Sequence, residues 1–597
     1  MSEGGNGLAR PPTTTSGDAP AGSPVAALAA WTARQEGGKI SPKVGIPGAH
    51  SRSGKRAGDS TGADRELWLR EPVKSGEVLI ELPLQDLITV DTAASDERLG
   101  PAFKELQVLD GAGELCTLVL YLLCLQWLPG PLQPGHRAYV CSLPSSCPTP
   151  LGWPAEMLQA LEATPLSAAI QQQANVLEEL CSVWVGKLLA RLRTAGVAGC
   201  DDSHPLPPPP RSQVLLSFSM VGSRAFTVKW PDGSKKLCLI PLVDMLDHSY
   251  DVDTEYTTTG SSTEKEDQWR FQLVAASNQP AGGPLWINYG PSKGNADLLT
   301  HHGFCVPNNT ADRFTANLRV SLQPGTALDD QRMLLHVAGC SLEAQLSRGQ
   351  PLPGCLLQTL AILHLPPQCS YYLAAKCLQG MAAGLSPDTP RHSAPRDPLY
   401  SGAVLTVSEP DDVPLPLAPA VSTTLETLLG NELLRCEAAA EGLPDAEELL
   451  ATRPRGASDP REATAFYLKG QLDVLRAARQ EALEWKGRML ERAEGVAALA
   501  PAGEGDDMEG ARWHCMELDV PAERLHLVQL SGLGDEHWLP ELPGTEEVAG
   551  TLGQHAIDIC WSRVMAAASV CCCSLEDLER CGAPQLLGVA AREEGAP

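Results

Sequence analysis

No stretch of this chain supplies the roughly 20 consecutive apolar residues needed to cross a bilayer, so a membrane-spanning protein is not expected. Its opening, MSEGGNGLARPPTTTSGDAPAGS, has no apolar core of the secretory kind. That opening is rich in Ser and Thr like a transit peptide, yet it carries Glu3, Asp18 and a single arginine. Cytoplasm or nucleus is therefore the expected address, with the chloroplast as the alternative. Basic charge is also in short supply: 46 Lys and Arg stand against 73 Asp and Glu, a net charge of −27. Such a surface repels polyphosphate backbones, which argues against nucleic acid and favours basic partners such as lysine-bearing protein segments. The 19 cysteines lack the spacing of a disulfide framework. They scatter through apolar runs such as LYLLCLQWL and KKLCLIPL, which fits reduced, buried thiols inside a cell.

Two further motifs fall short. In GIPGAHSRSGKRAG, five residues separate Gly48 from Gly54 and Arg56 stands where a phosphate-binding loop needs Ser or Thr. In CCCSLEDLERC (571–581) the spacing matches no zinc site, so Cys571, Cys572 and Cys573 are not expected to hold metal. WHC at 513–515 reads as packing. No dinucleotide-type glycine loop follows a strand.

What is present falls into blocks. At 597 residues and 43% hydrophobic content the chain suits two or three domains. Residues 1–22 are low-complexity and expected to be disordered, and SPVAALAAWTARQEGG then predicts a short helix stopped by two glycines. ELWLREPVKSGEVLIELP predicts a hairpin turning at Lys74, Ser75 and Gly76. From about 100 to 215 the spacing is helical until HPLPPPPRS; AFTVKW, the turn PDGS and KKLCLIPLV then predict a second hairpin. Beyond 310 long helical patterns dominate, ending in an acidic, Cys-containing tail at 536–597.

Residues 239–250, LIPLVDMLDHSY, raise the functional question, because an Asp-His pair follows a run this apolar. Together with SFSMVGSRAF (217–226), LWINYGPSKGNADLLTHHGF (285–304) and the first hairpin, this stretch resembles SET-domain proteins of the Rubisco large-subunit methyltransferase branch. The resemblance covers about residues 24–500 and implies an α+β fold. A SET-type β core (23–310) would carry a helical insert (about 100–215) and be followed by an all-α substrate-binding domain (311–535). It further implies methyl transfer from S-adenosylmethionine to a lysine of a protein substrate, by a monomer, without a metal.

Such chemistry asks mainly for positioning and desolvation, because the sulfonium donor is already activated and the lysine, with a reference pKa of about 10.4, need only arrive deprotonated. Carried over residue by residue, Arg224 in SRAF would hold the cofactor's carboxylate through its guanidinium, and Asp247 and His248 would face the cofactor. Tyr289 in INYG would border both cofactor and substrate, with Asn295 in KGNADLL shaping the wall beside it. His302 in HHGF would occupy the catalytic position. The chain departs from the family's pattern at three places. Asp247 replaces an asparagine and cannot donate as an amide does. Asp64 and Glu66 stand where a Gly-x-Gly lets backbone approach the cofactor. His302 replaces the catalytic tyrosine and would have to serve as donor or base near neutral pH. These departures keep open an alternative: a SET-like protein-binding module without catalysis.

Overall fold

The computed structural model describes residues 23–49, 66–197, 207–251, 254–260, 268–321, 328–365, 407–413, 417–499, 512–520, 523–531 and 537–541. Asp64, the loop around Arg56, residues 1–22 and Cys571–Cys573 lie outside these. The chain divides into two compact units, one of residues up to Asp312 together with Ala439–Gly470, the other of Arg313–Ala438 and Gln471 onward.

The first unit begins with α1 (Pro24–Thr32) and three short strands, β1 (Lys39–Ile40), β2 (Val44–Gly45) and β3 (Trp68–Leu69), before β4 (Val78–Pro83). The stretch expected to form one hairpin, 66–83, is divided between two sheets. β3 pairs with β2, whereas β4 joins a four-stranded sheet in the order β1, β4, β9 (Arg270–Ala275), β8 (Thr254–Thr259). The turn at Gly76 does form, with φ +83°, but Leu69 donates its N–H to Gly283 and β3 leaves its neighbour. β9 shows why it is central: RFQLVA alternates strictly, burying Phe271, Leu273 and Ala275 on one face.

The insert is helical, as its spacing implies: α2 (Val90–Ser95), α3 (Gly100–Asp110), α4 (Glu114–Trp127), α5 (Pro134–Ser142), α6 (Ala155–Glu162), α7 (Leu166–Glu179), α8 (Val185–Thr194) and α9 (Arg211–Arg224). Every residue of α4 from Thr117 to Leu125 is buried, so this helix is the axis of the core rather than an amphipathic cover. The second expected hairpin is present: β5 (Phe226–Lys229) pairs antiparallel with β6 (Lys235–Cys238) across a turn with Gly233 at φ +85°. Beyond it come β7 (Asp247–His248), β10 (Trp286–Ile287) and α10 (Asn295–His302).

The second unit opens with β11 (Arg313–Asn317), α11 (Leu328–Val337), β12 (Glu343–Ser347) and α12 (Gly354–Leu363). α13 (Ala418–Ala440) follows; α14 (Ala446–Thr452) lies in the first unit, and α15 (Pro460–Leu499) runs through the boundary at Gly470. To the helices expected there the structure adds an antiparallel β11–β12 ribbon and a meander of β13 (Arg512–Val520), β14 (Glu523–Ser531) and β15 (His537–Glu541). The ribbon's strands are only five residues long and alternate in burial, a period easily lost among long helical runs. No helix among the described residues is long and apolar enough to cross a membrane, and the described cysteines between Cys116 and Cys436 are free thiols.

Candidate active site

The run that raised the question is an anchor. Leu239, Ile240, Leu242 and Val243 are fully buried, and the chain then turns tightly at Val243–Met245 to present β7 at the rim. The turn is strained at its entry: Leu242, a buried non-glycine residue, has φ +70°. Holding such a conformation costs on the order of 1–3 kcal/mol and requires a surround that fixes it. That surround includes Asp244, whose Oδ2 accepts a 2.6 Å hydrogen bond from the Tyr139 hydroxyl of α5. Arg224, the last residue of α9, donates from Nη1 to the Asp244 carbonyl at 2.6 Å and lies 3.9 Å from its Oδ2. Burial pushes the Asp244 carboxyl up to about 6, with Arg224 and Tyr139 opposing. The same burial raises the Tyr139 hydroxyl far beyond its ordinary range. Within this cluster Arg224 Nε and Asp244 Oδ1 are buried and have no hydrogen-bond partner.

β7 and β10 pair in parallel, Asp247 opposite Trp286 and His248 opposite Ile287. This places LVDMLDHS beside INYGPSKGN, as the resemblance requires. Tyr289 fastens the junction, its hydroxyl donating to the Leu246 carbonyl at 2.7 Å and its backbone N–H donating to His248 Nδ1 at 3.1 Å. Asp247 is reached by solvent yet sits in a protein-lined recess. Desolvation there, with Glu66 adding repulsion and Arg224 opposing, raises its carboxyl to about 6. Glu66, one of the departures at the glycine positions, is thus close enough to couple to the Asp247 charge.

His248 is 8% exposed and burial pushes its pKa down to about 4, the Ile287 backbone opposing. Its ring lies 5.1 Å from that of Tyr289 and 4.3 Å from that of Tyr250. His302, at the end of α10, faces Tyr289 with ring centroids 4.6 Å apart, so both residues named for the substrate side share one wall. Gly303, which follows it, is required: its φ is +77°, and a Cβ there would stand 2.2 Å from the Pro148 carbonyl oxygen. Burial, then the Lys293 and His301 charges, depress the His302 pKa to about 3. Its Nε2 lies 3.0 Å from Lys293 Nζ, which donates to it, so the lone pair a base would use is occupied. The ring expected to serve as donor or base is here a neutral imidazole whose Nε2 already accepts from a lysine.

Asn295 is committed to structure. Its side chain donates to the Val306 carbonyl at 2.9 Å and to Asp312 Oδ2 at 3.0 Å, and accepts from the Val306 N–H at 2.8 Å. Sequence reading missed Tyr139, Asp244 and Lys293. Asp244 and Lys293 lay inside quoted motifs without being singled out, and nothing in HRAYVCS marks Tyr139. Among the described residues no group of three His, Cys, Asp or Glu side chains is arranged to hold a metal ion.

A helical insert within a small-sheet β core, and two non-adjacent segments paired beside an arginine and a tyrosine, define a SET-type fold. The chain superposes on the SET domain of LSMT bound to lysine and AdoHcy with a TM-score of 0.53 at 19% identity, covering 81% of this chain and 97% of that one. Against Rubisco LSMT bound to AdoMet the values are 0.52, 18%, 81% and 97%. At these identities the likeness establishes the fold. By sequence the chain is similar to the actin-histidine N-methyltransferase of Rattus norvegicus, 29% identical over 251 residues, which is 42% of this chain and 39% of that protein. It is also similar to that of Danio rerio, 28% identical over 263 residues, 43% of this chain and 40% of that protein. The matched region thus spans about two fifths of the length of these relatives. No family model matches the chain.

Proposed function

We propose that this chain is an S-adenosylmethionine-dependent methyltransferase acting on a side-chain nitrogen of a protein substrate. The observation that carries the reading is the Arg224 guanidinium, fixed against Asp244 yet left with a buried Nε that has no partner. A buried donor without an acceptor is unfavourable by about 1–3 kcal/mol, and a carboxylate is the group that best relieves it. The residues therefore fit the methionine end of such a cofactor: Arg224 toward its carboxylate, ionised Asp247 toward its ammonium, and His248 and Tyr289 completing the wall. When bound, the cofactor would supply an activated methyl group for the acceptor nitrogen. The chain's own part is to position and dry the acceptor. Tyr289 holds the Leu246 carbonyl in place, and His302 with Tyr289 forms the aromatic wall beside the acceptor.

Two acceptors compete within this reading. The family resemblance implies a lysine amine, which must arrive without its proton. The relatives named for actin histidine bring in an imidazole nitrogen, which is already neutral near pH 7. The protein partner follows from either, with the acidic surface suited to a basic docking segment.

Titration calorimetry with S-adenosylmethionine tests the proposal. A saturable binding isotherm, together with transfer of labelled methyl to protein in a cell extract, supports it. Binding without transfer to any extract supports the non-catalytic module instead, and the absence of binding overturns both the cofactor and the activity.

A further inference from the structure

Lys293 is not an ordinary surface lysine. It is half-buried, and its aliphatic stem lies over Gly290, where a Cβ would come within 3.2 Å of Lys293 Cγ. Its backbone carbonyl is held by the Tyr250 hydroxyl and by Asn309 Nδ2 at 3.1 Å. Its ammonium ends 3.0 Å from His302 Nε2, beside a wall formed by the rings of His302, Tyr289 and Phe304. Stem, carbonyl and head group are each fixed, which is more ordering than a solvated lysine needs.

We infer that Lys293 is a specificity-determining residue, a resident ammonium that makes the acceptor site select a neutral nitrogen, an imidazole, over an incoming lysine ammonium. The inference rests on the methyltransferase reading and deepens it. Two consequences of the geometry carry it. First, His302 Nε2 already accepts from Lys293, so it has no lone pair with which to receive the N–H of a substrate ammonium. Second, a second ammonium entering beside the first meets like-charge repulsion in a partly desolvated recess, a penalty of roughly tenfold to a hundredfold in affinity at this range. The titratable groups that act on His302 are Lys293, His301 and His248, all of them bases, so none offers a negative charge to an incoming ammonium. Asp297 opposes the Lys293 charge, but it is exposed, and its Oδ2 accepts from the Gly294 N–H at 3.2 Å. A neutral imidazole escapes the repulsion, brings one N–H in need of an acceptor where an ammonium brings three, and stacks on the same aromatic wall.

The test measures binding of two small probes, n-butylamine and 4-methylimidazole, to the full chain by NMR titration near pH 8.5, where the amine is cationic and the heterocycle neutral. Wild type is expected to hold 4-methylimidazole at least tenfold more tightly than n-butylamine. Lys293→Met should narrow that ratio at least fivefold by gaining amine affinity, while Lys293→Arg, which keeps the charge, should retain the wild-type ratio. An unchanged ratio in Lys293→Met, a wild-type preference for the amine, or binding of neither probe would overturn the inference. These readouts need no turnover, so they fail independently of the cofactor calorimetry: silence there with an intact probe preference defeats the methyltransferase reading, not the selectivity of the recess. Should Lys293→Met misfold, comparison of wild type with Lys293→Arg and Lys293→Gln decides the same point.

Discussion

Tyr289 holds both neighbours of Asp247: its hydroxyl donates to the Leu246 carbonyl at 2.7 Å and its N–H to His248 Nδ1 at 3.1 Å. One contact fixes the residue that enters the two-residue strand β7 and the other the side chain that ends it, a strand too short to hold itself by pairing alone. Replacing Tyr289 by Phe keeps the ring and removes only the first contact, leaving a carbonyl short of one donor. Stability should fall by about 1–2 kcal/mol, read as a lower denaturation midpoint. On the proposed reading, methyl transfer should fall more than cofactor affinity does, because the hydroxyl would order the acceptor wall. Equal losses in both would make Tyr289 a packing residue.

Arg224→Ala should weaken S-adenosylmethionine binding by roughly 1.5–3 kcal/mol, the scale of a charge-assisted hydrogen bond. The same change strips Asp244 of its cation, so its carboxyl, already at about 6, should rise further and stay protonated at neutral pH. Arg224→Lys separates the two effects, keeping a charge near Asp244 without the forked donor. Calorimetry on both variants, alongside thermal unfolding, decides the matter. Unchanged affinity with an intact fold would assign Arg224 to structure.

How much of this was legible follows from how each contact is encoded. The pairing of LVDMLDHS with INYGPSKGN could be read because each motif is contiguous and the order of motifs is distinctive. The Tyr139–Asp244 hydrogen bond could not, since it joins residues 105 apart and α5 carries no periodicity that singles out its tyrosine. The split of 66–83 between two sheets was hidden for a different reason. A two-residue strand such as β3 has no repeat to read, and its partner Val44–Gly45 lies before a long insertion. Lys293 shows a third limit: its role depends on what faces it, and His302 is one helix away.

Asn295, which the resemblance implied would shape the wall beside Tyr289, illustrates the same limit. Both of its amide hydrogens are taken by Val306 and Asp312 and its oxygen accepts from the Val306 N–H, so it has no N–H left to offer a ligand. Asn295→Ala should therefore lower stability by about 2–4 kcal/mol, through several buried groups losing partners at once. Cofactor affinity per folded molecule should stay within twofold. A selective loss of binding at full stability would place Asn295 in the cofactor site after all.

The acid limb of activity separates the carboxylates from the histidines. A free His302 would lose its neutral form near pH 6.5, but its pKa lies near 3 and that of His248 near 4. Both rings should stay neutral from pH 8 down to about 5, seen as constant imidazole proton shifts by NMR. Asp247 instead has a carboxyl raised to about 6 by desolvation and Glu66, so it is ionised above that pH and neutral below it. If it pairs with the cofactor's ammonium, affinity should fall roughly threefold to tenfold between pH 7 and 5. Asp244 titrates in the same range, behind Arg224 and Tyr139, so the assignment needs a variant: Asp247→Asn should flatten most of the decline. The sign for stability is opposite. A folded pKa above the ordinary carboxylate value means the native state holds the proton more tightly, so ionised Asp247 destabilises the fold above about pH 6 and the penalty fades as pH falls. Because the side chain is exposed to solvent, the gain from Asp247→Asn at pH 8 should be no more than about 1 kcal/mol. A pH profile that persists unchanged in Asp247→Asn would move the acid limb to Asp244.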